Sequence, residues 1–379
     1  MPKTNLLYVI TKLELGGAQK QLLSLITHLD KDRYSLFLFT ACDGFLADAF
    51  LSVPGLKIKR SRFLERPLNP CKDFLAFCQI YNYIKRNKID IVHTHSSKAG
   101  ILGRWAARLA GVKVIVHTVH GWSFNDYQVF FYRALFLWLE RLAAHFTHKL
   151  IVVSEHDKQK GLANRIGNEK KYAIINYGID YEEFTTQGAS IRSQLGINTG
   201  DLVVGMISCF KAQKAPQDFI KLASLIHKRL PQVKFLLVGD GILRQDLERS
   251  ILELGLGSQV ILTGWRKDIP RVLQAMDVFV LTSLWEGMPI SVLEAMVSSC
   301  PVVATNTGSI SEVISEGKTG FLVAPGDMLS MSEKAIILLN SRDLRKEIGR
   351  QAKDSLGLNF TLTRMIKDSQ ELYKSIENN

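Results

Sequence analysis

Short runs of β-branched and aromatic residues punctuate the chain, and most are followed by a longer stretch whose apolar positions recur at helical spacing. In the first half the runs fall at residues 6–10, 35–40, 89–93, 112–117, 150–153 and 173–175, with amphipathic segments at 18–29, 74–85, 99–109 and 129–145. The runs are nearly continuous in apolar residues rather than alternating. That is the pattern of strands buried on both faces, and with helices between them it predicts a covered parallel sheet. Residues 176–200 are rich in turn formers. The alternation then restarts, with strands predicted at 202–208, 233–238, 260–262, 278–281, 302–304 and 320–323 and helices starting near Pro216, Leu243, Ile269, Pro289, Ser309 and Met328. The final segment, 360–376, has helical spacing and no strand after it. The chain therefore reads as α/β, with two doubly wound domains facing across a cleft. Ligands of such sheets bind beyond the carboxyl ends of the strands, so candidate site residues should lie just after strands.

Composition agrees with that reading. A chain of 379 residues exceeds what one core usually fills, and 46% apolar with 22% charged residues excludes a disordered chain. The formal charge of +12 is uneven: residues 1–190 carry 26 basic and 16 acidic groups, and the remainder carries 22 and 20. The first half is thus expected to meet something anionic. Five scattered cysteines without a Cys-x-x-Cys pair argue against a disulfide framework or structural zinc, and fit a reducing cytosol. The run at 6–10 is too short for a signal peptide. The most apolar stretch, 129–139, is broken by Arg133 and falls short of the roughly 20 residues that span a bilayer. A cytoplasmic protein, soluble or peripheral on the inner face of the cell membrane, is expected.

Three groups of residues carry candidate chemistry. Gly16-Gly17-Ala18-Gln19 follows the first strand and opens a helix, where glycine admits a close ligand and the helix end favours an anion. The spacing is not that of a dinucleotide fingerprint, and a plain tight turn is the alternative. His93, His95, His117 and His120 lie at or just after strand ends. No acidic or thiol ligand accompanies them, so they read as polar contacts rather than zinc ligands, with His120 before Gly121 the leading candidate. The richest run is residues 282–295. Glu286 follows a strand, Gly287 permits close approach, and Pro289 suits a first helical position, leaving the amides of Ile290 and Ser291 ready for a phosphate. Glu294, a turn or so further on, can accept from a ribose diol. Two carboxylates beside an anion site suit a nucleotide sugar, whose hydroxyls need acceptors.

Glu286 and Glu294, separated by seven residues, resemble the Glu-x7-Glu signature of the family-four retaining glycosyltransferases of GT-B fold. Nearly the whole chain shares the resemblance, through Gly16–Gln19, His117-Thr-Val-His120-Gly121, Asn176-Tyr-Gly178-Ile-Asp180 and Gly317-Lys-Thr-Gly320-Phe321-Leu322-Val323. The run His93-Thr-His95-Ser-Ser-Lys98-Ala-Gly100-Ile-Leu-Gly103-Arg104 is similar to the subset that builds bacterial surface polysaccharides on lipid carriers. The resemblance implies an acceptor-binding domain over 1–185, onto which 361–379 packs back, and a nucleotide-sugar-binding domain over 186–360. It places Glu286 on the donor sugar's hydroxyls and His120 near the reacting centre. Gly17 and the amides of Ile290 and Ser291 would contact the diphosphate, with Lys214 its main cation, and Gly287 and Met288 would also belong to the donor site. Glu294 would take the ribose, and backbone at Arg266 the base, with uridine favoured. The resemblance implies no metal and no cofactor. One position departs: Cys209 stands where relatives carry arginine, and Lys211 is the nearby substitute, although lysine does not reproduce bidentate phosphate binding.

The positive first half then has a candidate partner, a polyprenyl-diphosphate-linked acceptor at an anionic membrane surface. Lys57, Lys59, Arg60, Arg62 and Arg66 mix with Ile58, Phe63 and Leu64, a composition suited to such a surface, and His95 and Lys98 are further acceptor candidates. A solvated loop is the alternative for 57–66. The aromatic stretch 127–138 offers membrane contact or core. Nucleic acid is not expected, because no recognised module accompanies the charge. A nucleotide-sugar 2-epimerase and a non-catalytic nucleotide-sugar binder on the same architecture remain open as other readings.

Overall fold

The structure is a computed structural model that describes residues 3–124, 127–186, 188 and 191–377. The chain divides into two compact units, one of Met1–Gly178 with Leu362–Asn379 and one of Ile179–Thr361.

The first unit is built on seven parallel strands: β1 (Thr4–Val9), β2 (Tyr34–Ala41), β3 (Lys57–Ser61), β4 (Ile91–His95), β5 (Val114–Val119), β6 (Lys149–Val152) and β7 (Tyr172–Ile174). They run in the order β3-β2-β1-β4-β5-β6-β7. Register is continuous through the centre, where Leu6 of β1 faces Leu36 on one side and Ile91 on the other. Six of these strands fall where the apolar runs predict them. β3 does not, because it is an edge strand with Lys57, Lys59 and Arg60 exposed, and its charge masks its β character. Lysine on an edge strand also discourages pairing with another chain.

The second unit holds β8 (Val203–Ile207), β9 (Lys234–Val238), β10 (Val260–Leu262), β11 (Val278–Leu281), β12 (Val302–Thr305) and β13 (Phe321–Val323), ordered β10-β9-β8-β11-β12-β13 and all parallel. Both sheets reverse direction once, between β1 and β4 and between β8 and β11. Loops leaving the strands on either side of that switch diverge and open a crevice.

Helix packing explains one motif. In the helix Ser97–Leu109, a Cβ on Gly100 would lie 2.6 Å from the His117 ring and one on Gly103 2.7 Å from the Thr94 methyl. The two glycines let the helix settle onto β4 and β5. From the same helix Arg104, fully buried, donates to Glu140 at 2.7 Å on the helix Phe130–Phe146. The last helix, Leu362–Glu377, belongs to the first unit, where Tyr373 is fully buried and its hydroxyl lies 3.2 Å from that of Tyr8. Among the described residues no helix is long and apolar enough to cross a membrane.

Breaking the buried ion pair strands one charge in the core. Glu140→Ala should lower unfolding free energy by about 3–5 kcal/mol in urea at pH 7, and Arg104→Met with Glu140→Leu should recover most of that loss. A double variant as unstable as Glu140→Ala would contradict this account of the pair.

Candidate functional site

In the second unit the loops after β8, β11 and β12 converge. The chain leaves β8 through Cys209 and a short 3-10 turn, Ala212–Lys214, and Ala215 (φ +42°) then turns it into the helix Pro216–Arg229. Leu284 N donates to Gln213 O at 2.8 Å, and Gln213 Nε2 donates to Trp285 O at 2.9 Å, stitching this turn to the loop after β11. Thr282 Oγ1 donates towards the carbonyls of Lys214 and Ala215, each at 3.0 Å.

These bonds bring Lys214 and Glu286 into contact. Lys214 Nζ donates to Glu286 Oε1, and Ser283 Oγ donates to the same oxygen at 2.6 Å. The carboxylate side chain is only 5% exposed and the lysine 16%. Burial makes an unpaired charge costly, so each group depends on the other. The loop after β12 fixes the backbone beneath them: Ser309 N and Oγ donate to Gly287 O at 3.1 and 2.6 Å, and Thr307 Oγ1 donates to Leu284 O at 3.2 Å. Gly308, at φ +60°, lies so close that a Cβ would stand 2.3 Å from Glu286 O.

The helix Ile290–Val297 begins one residue later than Pro289 suggests, because Pro289 is extended at the cap (φ −75°, ψ 113°). Ile290 and Ser291 then occupy the first two helical positions, and their amides have no partner within the helix. Met288, Ser291 and Glu294 are all buried, as is Gly287. Lys211 caps the turn that carries Lys214, partly exposed, and its side chain makes no ion pair among the described residues. Arg266 is committed to Asp268 through two bonds, of 2.9 and 2.6 Å, which hold that carboxyl below its usual range.

In the first unit the histidines form a buried network at the ends of β4 and β5. His93 bonds Tyr373 at 2.6 Å and Thr118 at 2.7 Å, while His117 bonds Thr94 Oγ1 at 2.9 Å. His95 Nδ1 lies 2.8 Å from His120 Nε2, and His120 Nδ1 lies 2.8 Å from the Tyr177 hydroxyl. His95 Nε2 is buried without a partner. A buried N–H without an acceptor is rarer than an unused lone pair, so His95 carries its proton on Nδ1 and donates to His120. His120 then carries its proton on Nδ1 and donates to Tyr177. Burial lowers all four imidazoles, taking His93 and His120 to about 3. Among the described residues no three histidine, cysteine, aspartate or glutamate side chains come together in a way that could hold a metal ion.

The remaining candidates are dispersed within this unit. Gly17 is the first residue of the helix Gly17–His28, which starts without a side-chain cap. Lys57, Lys59 and Arg60 sit on the edge strand β3, with Lys57 over the Phe37 ring, and Arg62 lies over Phe63. The apolar partners in that stretch turn inward: Leu64 is fully buried and Ile58 and Phe63 pack on the core. The 57–66 stretch therefore presents charge without an apolar face. Lys98 is taken up by the Pro67 carbonyl and by Asp73 at 2.6 Å.

Residues 15–183 match the family described as Glycosyltransferase Family 4, and residues 188–355 match the glycosyl transferases group 1. A galactosyltransferase of Escherichia coli, which acts on UDP-Gal and alpha-D-GlcNAc-diphosphoundecaprenol, is 34% identical over 95% of this chain and 94% of its own. The chain belongs to the family-four glycosyltransferases. It is also 25% identical over 82% of its length to the capsular polysaccharide biosynthesis glycosyltransferase CapM of Staphylococcus aureus, of which the match covers 83%. Its fold is that of Anabaena HepE, solved with UDP-glucose, with a TM-score of 0.85, 22% identity, and 98% and 99% of the two chains covered. The glycosyltransferase is thus of GT-B fold, with two Rossmann-like halves.

Several groups that shape the glycosyltransferase's second unit escape motif reading. Gln213, Thr307 and Gly308 are ordinary residue types, and the only signal they offer is that each lies shortly after a strand.

The histidine network makes the enzyme acid-sensitive. Native-state values below the unfolded 6.5 mean that stability is complete above pH 6.5 and falls as acid protonates the unfolded chain first. Between pH 6.5 and 5 each such histidine should cost up to about 1.4 kcal/mol per pH unit. Denaturant titrations at pH 7, 6 and 5 should show this loss, and His93→Gln should make it shallower. A stability unchanged over that span would refute the neutral network.

Proposed function

We propose that this glycosyltransferase moves a hexose or N-acetylhexosamine, with retention, from a uridine diphosphate sugar to a saccharide on a polyprenyl diphosphate carrier, as a step in surface polysaccharide assembly. The observation that carries this reading is the 34% identity, along nearly the full length of both chains, to an enzyme whose name states that donor and that kind of acceptor. The contact between Lys214 and Glu286 supports it chemically. A sugar diphosphate sets anionic phosphate oxygens beside sugar hydroxyls, and the pair sets an ammonium beside a carboxylate.

In this reading Lys214, with Lys211 and the amides of Ile290 and Ser291, takes the charge that grows on the leaving diphosphate. Fixed cations and a helix end suit that task because they are oriented before the bond breaks. Glu286 accepts from the sugar hydroxyls, Glu294 from the ribose, and the backbone at Arg266 borders the base. Gly17, Gly287 and Met288 leave room for the diphosphate. His120, its tautomer set by His95, stands near the reacting sugar. A same-side attack guided by the leaving phosphate accounts for retention.

The first unit is assigned the acceptor. Lys57, Lys59, Arg60 and Arg62 supply charge for an anionic surface, and His95 and Lys98 act from within by holding their neighbours. The apolar component comes from the start of the helix Phe130–Phe146, where Phe130 is 82% and Phe131 71% exposed, with Tyr127, Tyr132 and Trp138 also exposed. Aromatic side chains of this kind settle at the headgroup boundary of a bilayer, which supports a peripheral position at the membrane.

Transfer of labelled sugar to polyprenyl-diphosphate acceptor, presented once in anionic vesicles and once in detergent, tests both parts. Lys214→Ala should reduce turnover about 100-fold or more in either medium. Phe130→Ser with Phe131→Ser should slow the vesicle reaction several-fold and leave the detergent reaction unchanged. Absence of transfer from any uridine diphosphate sugar would overturn the donor assignment, and equal rates in vesicles for both proteins would overturn the membrane face.

A further inference from the structure

A cavity of about 550 Å³ opens in the second unit at the edge opposite Lys214 and Glu286, beside the amino ends of β11 and β12. That volume lies in the range of small-ligand sites. Among the described residues its walls carry Arg271, Arg342, Arg345, Lys346 and Lys353 against a single carboxylate, Asp277. Asp277 is already committed: Oδ2 accepts from Arg192 and from Val203 N, both at 2.9 Å, and Oδ1 lies 3.5 Å from Arg345. Arg345 is committed too, donating to the carbonyls of Leu338 and Leu339 at 2.9 and 2.8 Å. Arg342, Lys346 and Lys353 make no ion pair among the described residues, so their charge faces the cavity uncompensated.

The helix Arg342–Leu356 has sorted its charges. At about 100° per residue, positions 342, 345, 346 and 353 fall within roughly 100° of one another, and Asp343, Glu347 and Asp354 fall on a neighbouring arc. Arg350 on that arc pairs with Glu347 at 2.7 Å and Asp354 at 2.8 Å. Glu347 and Asp354 are thus tied to Arg350 and not to the cations that line the cavity. The cationic face is also held in place. A Cβ on Gly349 would stand 2.0 Å from Ser299 O, and Ser299 itself is at φ +55°. Beside it, the Ser298 hydroxyl is buried without a hydrogen-bond partner.

We propose that this cavity binds a small anion bearing a diphosphate group, at a site separate from the donor's. Three uncompensated cations match the charge of a diphosphate at neutral pH and exceed that of a monocarboxylate. Arginine offers the planar fork and lysine the point charge that phosphate oxygens accept. The concave walls favour a small solute over a flat macromolecular surface. Free pyrophosphate and a nucleoside diphosphate share the chemistry.

Calorimetric titration of the full chain with inorganic pyrophosphate tests the site without reference to the transfer reaction. Lys214→Ala should retain a binding event that Arg342→Ala with Lys346→Ala and Lys353→Ala weakens at least tenfold. Lys228→Ala, exposed and outside the cavity walls, should leave that event unchanged. Should the triple variant fail to fold, Lys346→Glu alone should give a several-fold loss. Repeating the titration of Lys214→Ala with UDP identifies the source, since a nucleotide that binds there points to a nucleoside diphosphate and one that does not points to pyrophosphate. Pyrophosphate binding abolished by Lys214→Ala, or retained in full by the triple variant and by Lys346→Glu, would overturn the proposal.

Discussion

A carboxylate taken out of water needs a partner, and in the second unit Glu286 has two, the Lys214 ammonium and the Ser283 hydroxyl. Three loops from three different strands are arranged to supply them. The turn after β8 carries Lys214, the loop after β11 carries Ser283 and Glu286, and the loop after β12 clamps the backbone at Gly287 from beneath. Removing either charge leaves the other buried and uncompensated, so these loops share a common electrostatic constraint. The same constraint is chemically apt for a glycosyltransferase. In the proposed donor site, phosphate charge and sugar hydroxyls a few bonds apart would meet a cation and an acceptor that are already in contact.

Topology explains why such groups can meet at all. In an all-parallel sheet every strand ends on the same edge, and the order β10-β9-β8-β11-β12-β13 places β8 beside β11 at the reversal. Lys214 and Glu286 leave the sheet on either side of that point. The first unit repeats the arrangement with other chemistry. β1 and β4 flank its reversal, and the ends of β4 and β5 hold four imidazoles kept neutral by burial and linked to Thr118, Tyr177 and Tyr373. Tyr373 comes from the last helix, so the end of the chain completes a network begun at β4.

Much of this was legible in the sequence because burial on both faces leaves a plain mark. Among the described residues, twelve of the thirteen strands overlap an apolar run, and that pattern finds them. β3 escaped because an edge strand protects itself with charge, and Lys57-Ile58-Lys59-Arg60 reads as a basic surface segment. The glutamates and Lys214 could be picked out through a family signature, whereas their mutual contact could not. Contacts between loops from different strands depend on turns such as Ala215 at φ +42° and on close approaches such as Gly308 against Glu286 O, which leave little trace in composition. The glycines at 100 and 103 show the reverse case, a motif whose visible role is packing against β4 and β5.

Lys214 and Glu286 are expected to act as one unit toward the donor. A double-mutant cycle with Lys214→Ala and Glu286→Gln, read as UDP-sugar affinity by calorimetry and referenced to UDP alone, measures this directly. The account predicts a coupling of about 1–3 kcal/mol, with Lys214→Ala weakening UDP itself and Glu286→Gln weakening the UDP-sugar by more than UDP. Additive effects to within about 0.3 kcal/mol, or a Glu286→Gln variant that does not distinguish the sugar from the bare nucleotide, would contradict it.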